Sequence, residues 1–226
     1  MDHSRERIKC LLILIGCLIF SSGSYALINE FNATRSDHFH LYMDWELSIP
    51  LVEWMILFYY AAYIAPFFTY WLLDFEEVKA MAKSYIFACA IGAVVFLAVP
   101  TVLGYPRDET MLGFFKPLYL YLWKVDQPHN LFPSIHVVIA FLLLRPLLDK
   151  PIPKWAKAVT ITFIVGISSS IIFVYQHHLI DLVSGLALAY YSYKFVYQPQ
   201  LAKARKVGGE VVAFLNKGAD YTDKAA

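Results

Sequence analysis

Charge is what this chain has least of. Asp, Glu, Lys and Arg fill only 16% of its 226 positions, and the formal net charge is +1. The charged residues gather between long apolar runs instead of alternating with apolar ones, a distribution that speaks against an ordinary soluble domain. Cysteine is scarce too. Cys10, Cys17 and Cys89 all lie inside apolar runs, are odd in number and have no metal-ligand spacing, which excludes a disulfide framework and a zinc knuckle. Internal repeats and low-complexity segments are absent. A near-zero net charge says little about partners; no nucleic-acid partner, metal or cofactor is expected.

What the chain has in abundance is apolar surface: 59% hydrophobic residues and a mean hydropathy of +0.52. Crossing a hydrocarbon core of roughly 30 Å takes about 20 helical residues. Six stretches approach that length: Ile8 to Ile28, Ile49 to Leu73, Ala80 to Leu103, Phe132 to Leu148, Trp155 to Tyr175 and Leu179 to Tyr197. They are continuously apolar, whereas barrel strands alternate. The expectation is an all-α polytopic membrane protein, six helices in one bundle over residues 1–199, with a motif-bearing core at about 49–195 and a polar tail over 200–226. The first run has a rival reading as a secretory signal, since a basic start precedes it and Ser24-Tyr25-Ala26 resembles a cleavage site. We expect a retained helix.

Lys and Arg near span ends stay on the cytoplasmic side. With six spans, one face receives most of them, from Arg5 and Arg7 through Lys79, Lys150 and Lys157 to Arg205. The other receives Arg35, Arg107, Lys116 and Lys124. Both termini are therefore expected to be cytoplasmic, with the loops around Asn29 to Ser48, Gly104 to Leu131 and Gln176 to His178 facing periplasm, lumen or exterior. Asn32-Ala33-Thr34 is a glycosylation sequon on that outward side. The aromatic segment "ETMLGFFKPLYLYLW" reads as an interfacial helix.

Two polar intrusions break the apolar pattern. "FPSIH" places Ser134 and His136 at the outward start of the fourth span, and "YQHHLIDLVSG" places His177, His178 and Asp181 at the outward start of the sixth. His177 and Asp181 are four residues apart, so on a helix they share a face within reach of an imidazole–carboxylate hydrogen bond. Ionisable groups at a membrane boundary are costly unless paired, which makes them functional candidates. Arg107, in "GYPRDET", is expected on the same face. Such a set suits phosphoryl transfer: a histidine held by a carboxylate attacks phosphorus, a second histidine protonates the departing oxygen, and cationic and hydroxyl donors neutralise the equatorial oxygens.

"PSIH" at 133–136 and "HHLID" at 177–181 resemble the second and third motifs of the type 2 phosphatidic acid phosphatase superfamily, P-S-x-H and H-x-x-x-D. The resemblance implies six helices around the site, His177 as nucleophile, Asp181 as its partner, His136 as acid/base and Ser134 as a phosphate contact. It further implies a membrane lipid phosphate as substrate and a phosphohistidine intermediate. Two departures stand out. The usual Ser-Arg before the nucleophile is replaced by Ser170-Ile171, and the usual first motif, K-x6-R-P, is missing. Arg107 is the nearest substitute cation, in a stretch similar to that of the branch containing inositolphosphotransferases and sphingomyelin synthases. His177, His178, Asp181, Leu182 and Gly185 also match that branch. Lys116 and Lys124 are further candidates for the missing cation, and His178 is taken as a phosphate contact.

Hydrolysis and head-group transfer share one intermediate and stay open at this point. A different class, a membrane cytochrome with haem held by two histidines, leaves Asp181 and Ser134 unexplained. A scaffold with a decayed site draws only on the missing Arg-bearing motifs. His129, without a motif partner, and Ser168 to Ser170 are expected to be structural.

Overall fold

The computed structural model describes residues 3–209, which form helices and connecting loops without a named strand; one isolated bridge pairs Phe39 with Thr101. The helices are α1 (His3–Ala33), α2 (Ile56–Ala61), α3 (Ala65–Leu72), α4 (Phe75–Ala98), α5 (Lys116–Val125), α6 (Ile135–Leu144), α7 (Lys154–Phe173) and α8 (Leu179–Ser192). Among the described residues, four helical stretches are long and apolar enough to cross a membrane: Ser4–Ala33, Glu53–Leu72, Phe75–Ala98 and Lys154–Phe173. The fourth and sixth expected spans do not reach that length as regular helices. A bend at Phe132 and Pro133 precedes α6, which has 10 residues and passes into a 3-10 turn over Arg145–Asp149. α8 has 14 residues before a π-helical turn over Tyr193–Tyr197, after which helix resumes and continues to residue 209. No structural break marks residue 200; of the expected tail, residues 210–226 lie outside the described residues.

Local chemistry explains the shifted boundaries. α4 begins five residues earlier than expected because Asp74 and Glu77 form a reciprocal cap: the Asp74 carboxylate accepts the Glu77 amide at 2.9 Å, and Glu77 accepts the Asp74 amide at 2.9 Å. It stops at Ala98, short of Pro100, whose ring disfavours helix in the residue before it. α1 leaves most of its surface uncovered and packs chiefly on α4 through Cys10, Leu14 and Cys17, so these thiols act as small apolar fillers. Its far end is fastened by amides: Asn32 Nδ2 donates to the Phe96 carbonyl (2.9 Å) and to Asn130 Oδ1 (3.0 Å). Asn32 is fully buried, so the sequon does not present its side chain on the surface.

Around this frame α6 sits centrally, against α3, α4, α7 and α8. Two glycines permit close approach. A Cβ on Gly166 would lie 2.4 Å from the Phe58 ring, where α7 meets α2. One on Gly185 would lie 2.7 Å from the Ser134 carbonyl oxygen, where α8 crosses the start of α6. The second contact brings the two polar intrusions together. α5 takes up only the second half of the expected interfacial segment, after a 3-10 turn over Glu109–Met111: Tyr119 and Leu122 bury one face against residues of α2 and α7, while Tyr121 and Val125 are exposed.

Candidate active site

The turn between α7 and α8 sets the position of the first histidine. Tyr175 has φ 58°, the left-handed conformation that ends helices and that a bulky residue adopts only under constraint. The constraint is visible: its ring stacks on Tyr105 (centroids 4.2 Å) and its hydroxyl donates to the Ile49 carbonyl (2.8 Å). The next two amides, Gln176 and His177, fold back onto the Ile171 carbonyl at 3.0 and 2.9 Å. α8 then starts at Leu179, with His178 as its extended cap residue and Asp181 in its first turn.

His177 is buried and engaged at both ring nitrogens. Nδ1 faces Asp181 Oδ2 at 3.3 Å, and Nε2 faces Ser134 Oγ at 3.4 Å. Asp181 is itself held, accepting the His178 amide at 2.8 Å. The Ser134 amide donates to the Asp181 carbonyl at 3.2 Å, which ties the start of α6 to the first turn of α8. His136, in the first turn of α6, presents its ring 6.0 Å from that of His177, centroid to centroid. With the proton on Nδ1 toward the carboxylate, the Nε2 lone pair points to the Ser134 hydroxyl, the arrangement a nucleophilic or basic imidazole needs.

Arg107 comes close through Gln176, whose Oε1 accepts from Nη2 at 3.4 Å. Its stronger bonds go to the carbonyls of Trp123 (3.0 Å) and Asp126 (2.7 Å), at the end of α5, and its buried Nε has no partner. Burial pushes the guanidinium pKa down, against the opposing attraction of Asp126. Sequence reasoning missed Asp126. Its carboxylate accepts the hydroxyls of Tyr25 (2.7 Å) and Tyr59 (2.9 Å), and the Tyr59 ring packs on His136 with centroids 4.3 Å apart. Tyr63 adds a hydroxyl 3.4 Å from His136 Nε2. The one available signal was a lone acid between the aromatic helix and "QPHN".

Two expected phosphate contacts are placed elsewhere. His178 is stacked between Tyr42 (4.4 Å) and Tyr105 (4.8 Å); its Nε2 accepts the Gly104 amide at 3.0 Å and its buried Nδ1 faces Glu46 at 3.6 Å, so both nitrogens are turned to protein groups. The reason is the cap position: extended backbone turns its side chain away from that of His177. Lys116 pairs with Glu109 at 2.9 Å on an exposed surface and takes no part in the cluster. His129 packs on His38 (4.9 Å), and Ser169 and Ser170 bond to carbonyls of their own helix.

A family model described as the PAP2 superfamily matches residues 85–205, more than half of the chain. The chain belongs to that superfamily. PAP2 membership supports a function of the phosphatase or phosphotransferase type. No curated protein and no solved structure matches. The matched stretch of this PAP2 protein contains Arg107, Ser134, His136, His177 and Asp181. Tyr25, Tyr59 and Tyr63, which surround Asp126 and His136, come from the segment before it.

Proposed function

We propose that the protein is an integral-membrane phosphatase or phosphotransferase acting on a phosphorylated lipid through a phosphohistidine at His177. The observation that carries this reading is the fixed position of His177 between Asp181 and Ser134, with a second imidazole beside it. In the first step His177 Nε2 attacks phosphorus, forming an N–P bond as the P–O bond to the leaving alcohol breaks; His136, in its protonated form, gives that oxygen a proton. Asp181 stabilises the imidazolium that develops. In the second step His136 takes a proton from water or from an acceptor alcohol, whose oxygen attacks phosphorus and frees His177. Ser134 and Arg107 are assigned to the phosphoryl oxygens, Arg107 after exchanging its long bond to Gln176.

The same reading has α6 and α8, with their flanking turns, completing a six-span bundle, both termini on the cytoplasmic side and the site on the other. Supporting it, Glu77 pairs with both Lys150 and Arg205, so basic groups from distant segments meet on one carboxylate, while His136 and His177 pack on each other and Arg107 bonds to Gln176, the neighbour of His177. The likeness of "HHLIDLVSG" to the transferase branch favours an alcohol acceptor as a second reading.

The test is purified protein in mixed micelles with phosphatidic acid or a labelled phospholipid, with and without inositol, choline or ceramide. Phosphate release without acceptor, with an acid-labile phosphoenzyme that His177→Ala abolishes, supports the phosphatase. Turnover only with an acceptor supports the transferase. Full turnover by His177→Ala refutes the nucleophile.

A further inference from the structure

Glu46 sits in a single 3-10 turn, Asp44–Ser48, ahead of α2 and outside the stretch matched to the family, yet it is 0% exposed. A carboxylate taken out of water costs several kcal/mol unless donors replace the lost hydration. Glu46 has them. Oε1 accepts the Met43 amide at 3.0 Å; Oε2 accepts the Leu179 amide at 2.8 Å and stands 3.6 Å from His178 Nδ1. Leu179 is the first residue of α8, so the charge also lies against the positive end of that helix.

His178 completes a second histidine–carboxylate pair beside that of His177. Because Nε2 accepts the Gly104 amide at 3.0 Å, the proton of the neutral ring resides on Nδ1, toward Glu46. Burial lowers the pKa of His178, which keeps that neutral form in place. The Tyr105 hydroxyl donates to the Glu46 carbonyl at 2.9 Å, and Gly104 lies so flat on Tyr42 that a Cβ there would be 2.5 Å from its ring. Three separate segments meet on this pair: residues 43–46, residues 104–107, and the start of α8. Arg107 belongs to the second, His177 and Asp181 to the third.

We propose that the Glu46–His178 pair is a positioning clamp that holds the Arg107 segment in register with the His177 end of α8. Neither residue touches the reacting phosphoryl group; both act through the backbone they fix. The proposal rests on the phosphoryl-transfer reading of that site.

The experiment compares full-length wild type with Glu46→Gln, His178→Gln and the double variant, in detergent. It measures kcat and KM on a soluble phosphate monoester per folded protein, competitive inhibition by orthophosphate, and amide exchange over residues 102–108. His178→Gln keeps the carboxylate and both amides that bond to it, and serves if Glu46→Gln does not fold. The clamp predicts near-native melting, a fall in kcat/KM of roughly 10- to 100-fold, as small misplacements at an active site produce, weaker phosphate inhibition and faster exchange at 104–107. The double variant is no worse than the weaker single one, since both break one link. Folded variants with native kcat, KM and inhibition overturn it, as does a loss that only tracks the folded fraction. Wild type without turnover on any phosphoester defeats the phosphoryl-transfer reading itself. The exchange comparison then decides the clamp alone, and unchanged exchange at 104–107 in both single variants overturns it.

Discussion

Ser134 Oγ lies 3.4 Å from His177 Nε2, on the edge of the imidazole opposite Asp181. A buried histidine bonded at one nitrogen only could swing; one engaged at both edges is oriented. The serine comes from the start of α6 and the carboxylate from α8, so the orientation depends on how closely those helices approach.

Asp181→Asn tests the carboxylate at constant size. The amide retains an oxygen for the His178 amide, so the fold is expected to survive, but it no longer stabilises a charged His177 or fixes its proton on Nδ1. Turnover is expected to fall by roughly 10²- to 10⁴-fold, the range typical of an orienting carboxylate, with KM nearly unchanged. Steady-state phosphate release checks it; a loss under threefold sinks the assignment.

Gly185→Ala tests the helix approach. The added methyl meets a backbone oxygen at 2.7 Å, and backbone does not yield as a flexible side-chain tip does. Separation of α8 from α6 is expected to cost about 1–3 kcal/mol, as overpacking does, and to reduce turnover, because Ser134 and His177 move apart. Thermal melting and kcat together measure it. Gly23→Ala, with open space around the new methyl, is the control.

The acid, base and nucleophile candidates were legible because ionisable residues stand out in a greasy chain and because a four-residue spacing has one meaning on a helix. Asp126, Glu46 and the tyrosines around His136 were not. They reach the cluster from loops and helix ends tens of residues away, and no local period reports such contacts. The direction of the His178 ring was not legible for a related reason: it sits on an extended cap residue (φ −107°, ψ 169°), and adjacency to His177 in sequence does not report that. α4 starts earlier than the expected span because that span is counted from the apolar run at Ala80, whereas Glu77, ahead of it, is half of a cap and is buried.

The sequon at Asn32 is expected to stay unmodified. Its amide is fully buried and donates to Phe96 and Asn130, so a glycosyl chain cannot be attached without opening the end of α1. Expressed in a glycosylating host, the protein should show no mobility change with an endoglycosidase. Asn32→Ala should cost about 1–3 kcal/mol, the penalty of removing buried hydrogen bonds; a neutral substitution would contradict this packing.

Arg107→Lys separates point charge from geometry. A lysine cannot reach the Trp123 and Asp126 carbonyls together while presenting charge near Gln176, as the planar guanidinium does. KM for a phosphomonoester should rise about tenfold, the worth of one charge-assisted hydrogen bond, with a smaller change in kcat. Equal kinetics in the lysine variant would remove Arg107 from phosphate recognition.

The stability of the segments around His129 and His178 should depend on pH through two imidazoles. Burial pushes His178 and His129 below the ordinary histidine value of 6.5; for His129 the neighbouring His38 and Arg107 add to it, and for His178 Asp181 and Glu46 oppose it. Both rings thus resist protonation when folded and accept it freely when unfolded. Above about pH 6.5 neither state takes up a proton and the full stability is present; as pH falls below that, the unfolded chain binds protons the folded chain does not, and stability declines. The melting temperature in detergent should therefore drop between pH 7.5 and 5.5, and His129→Gln should flatten that slope. An unchanged slope in the variant would show that the His38–His129 contact carries none of the acid sensitivity.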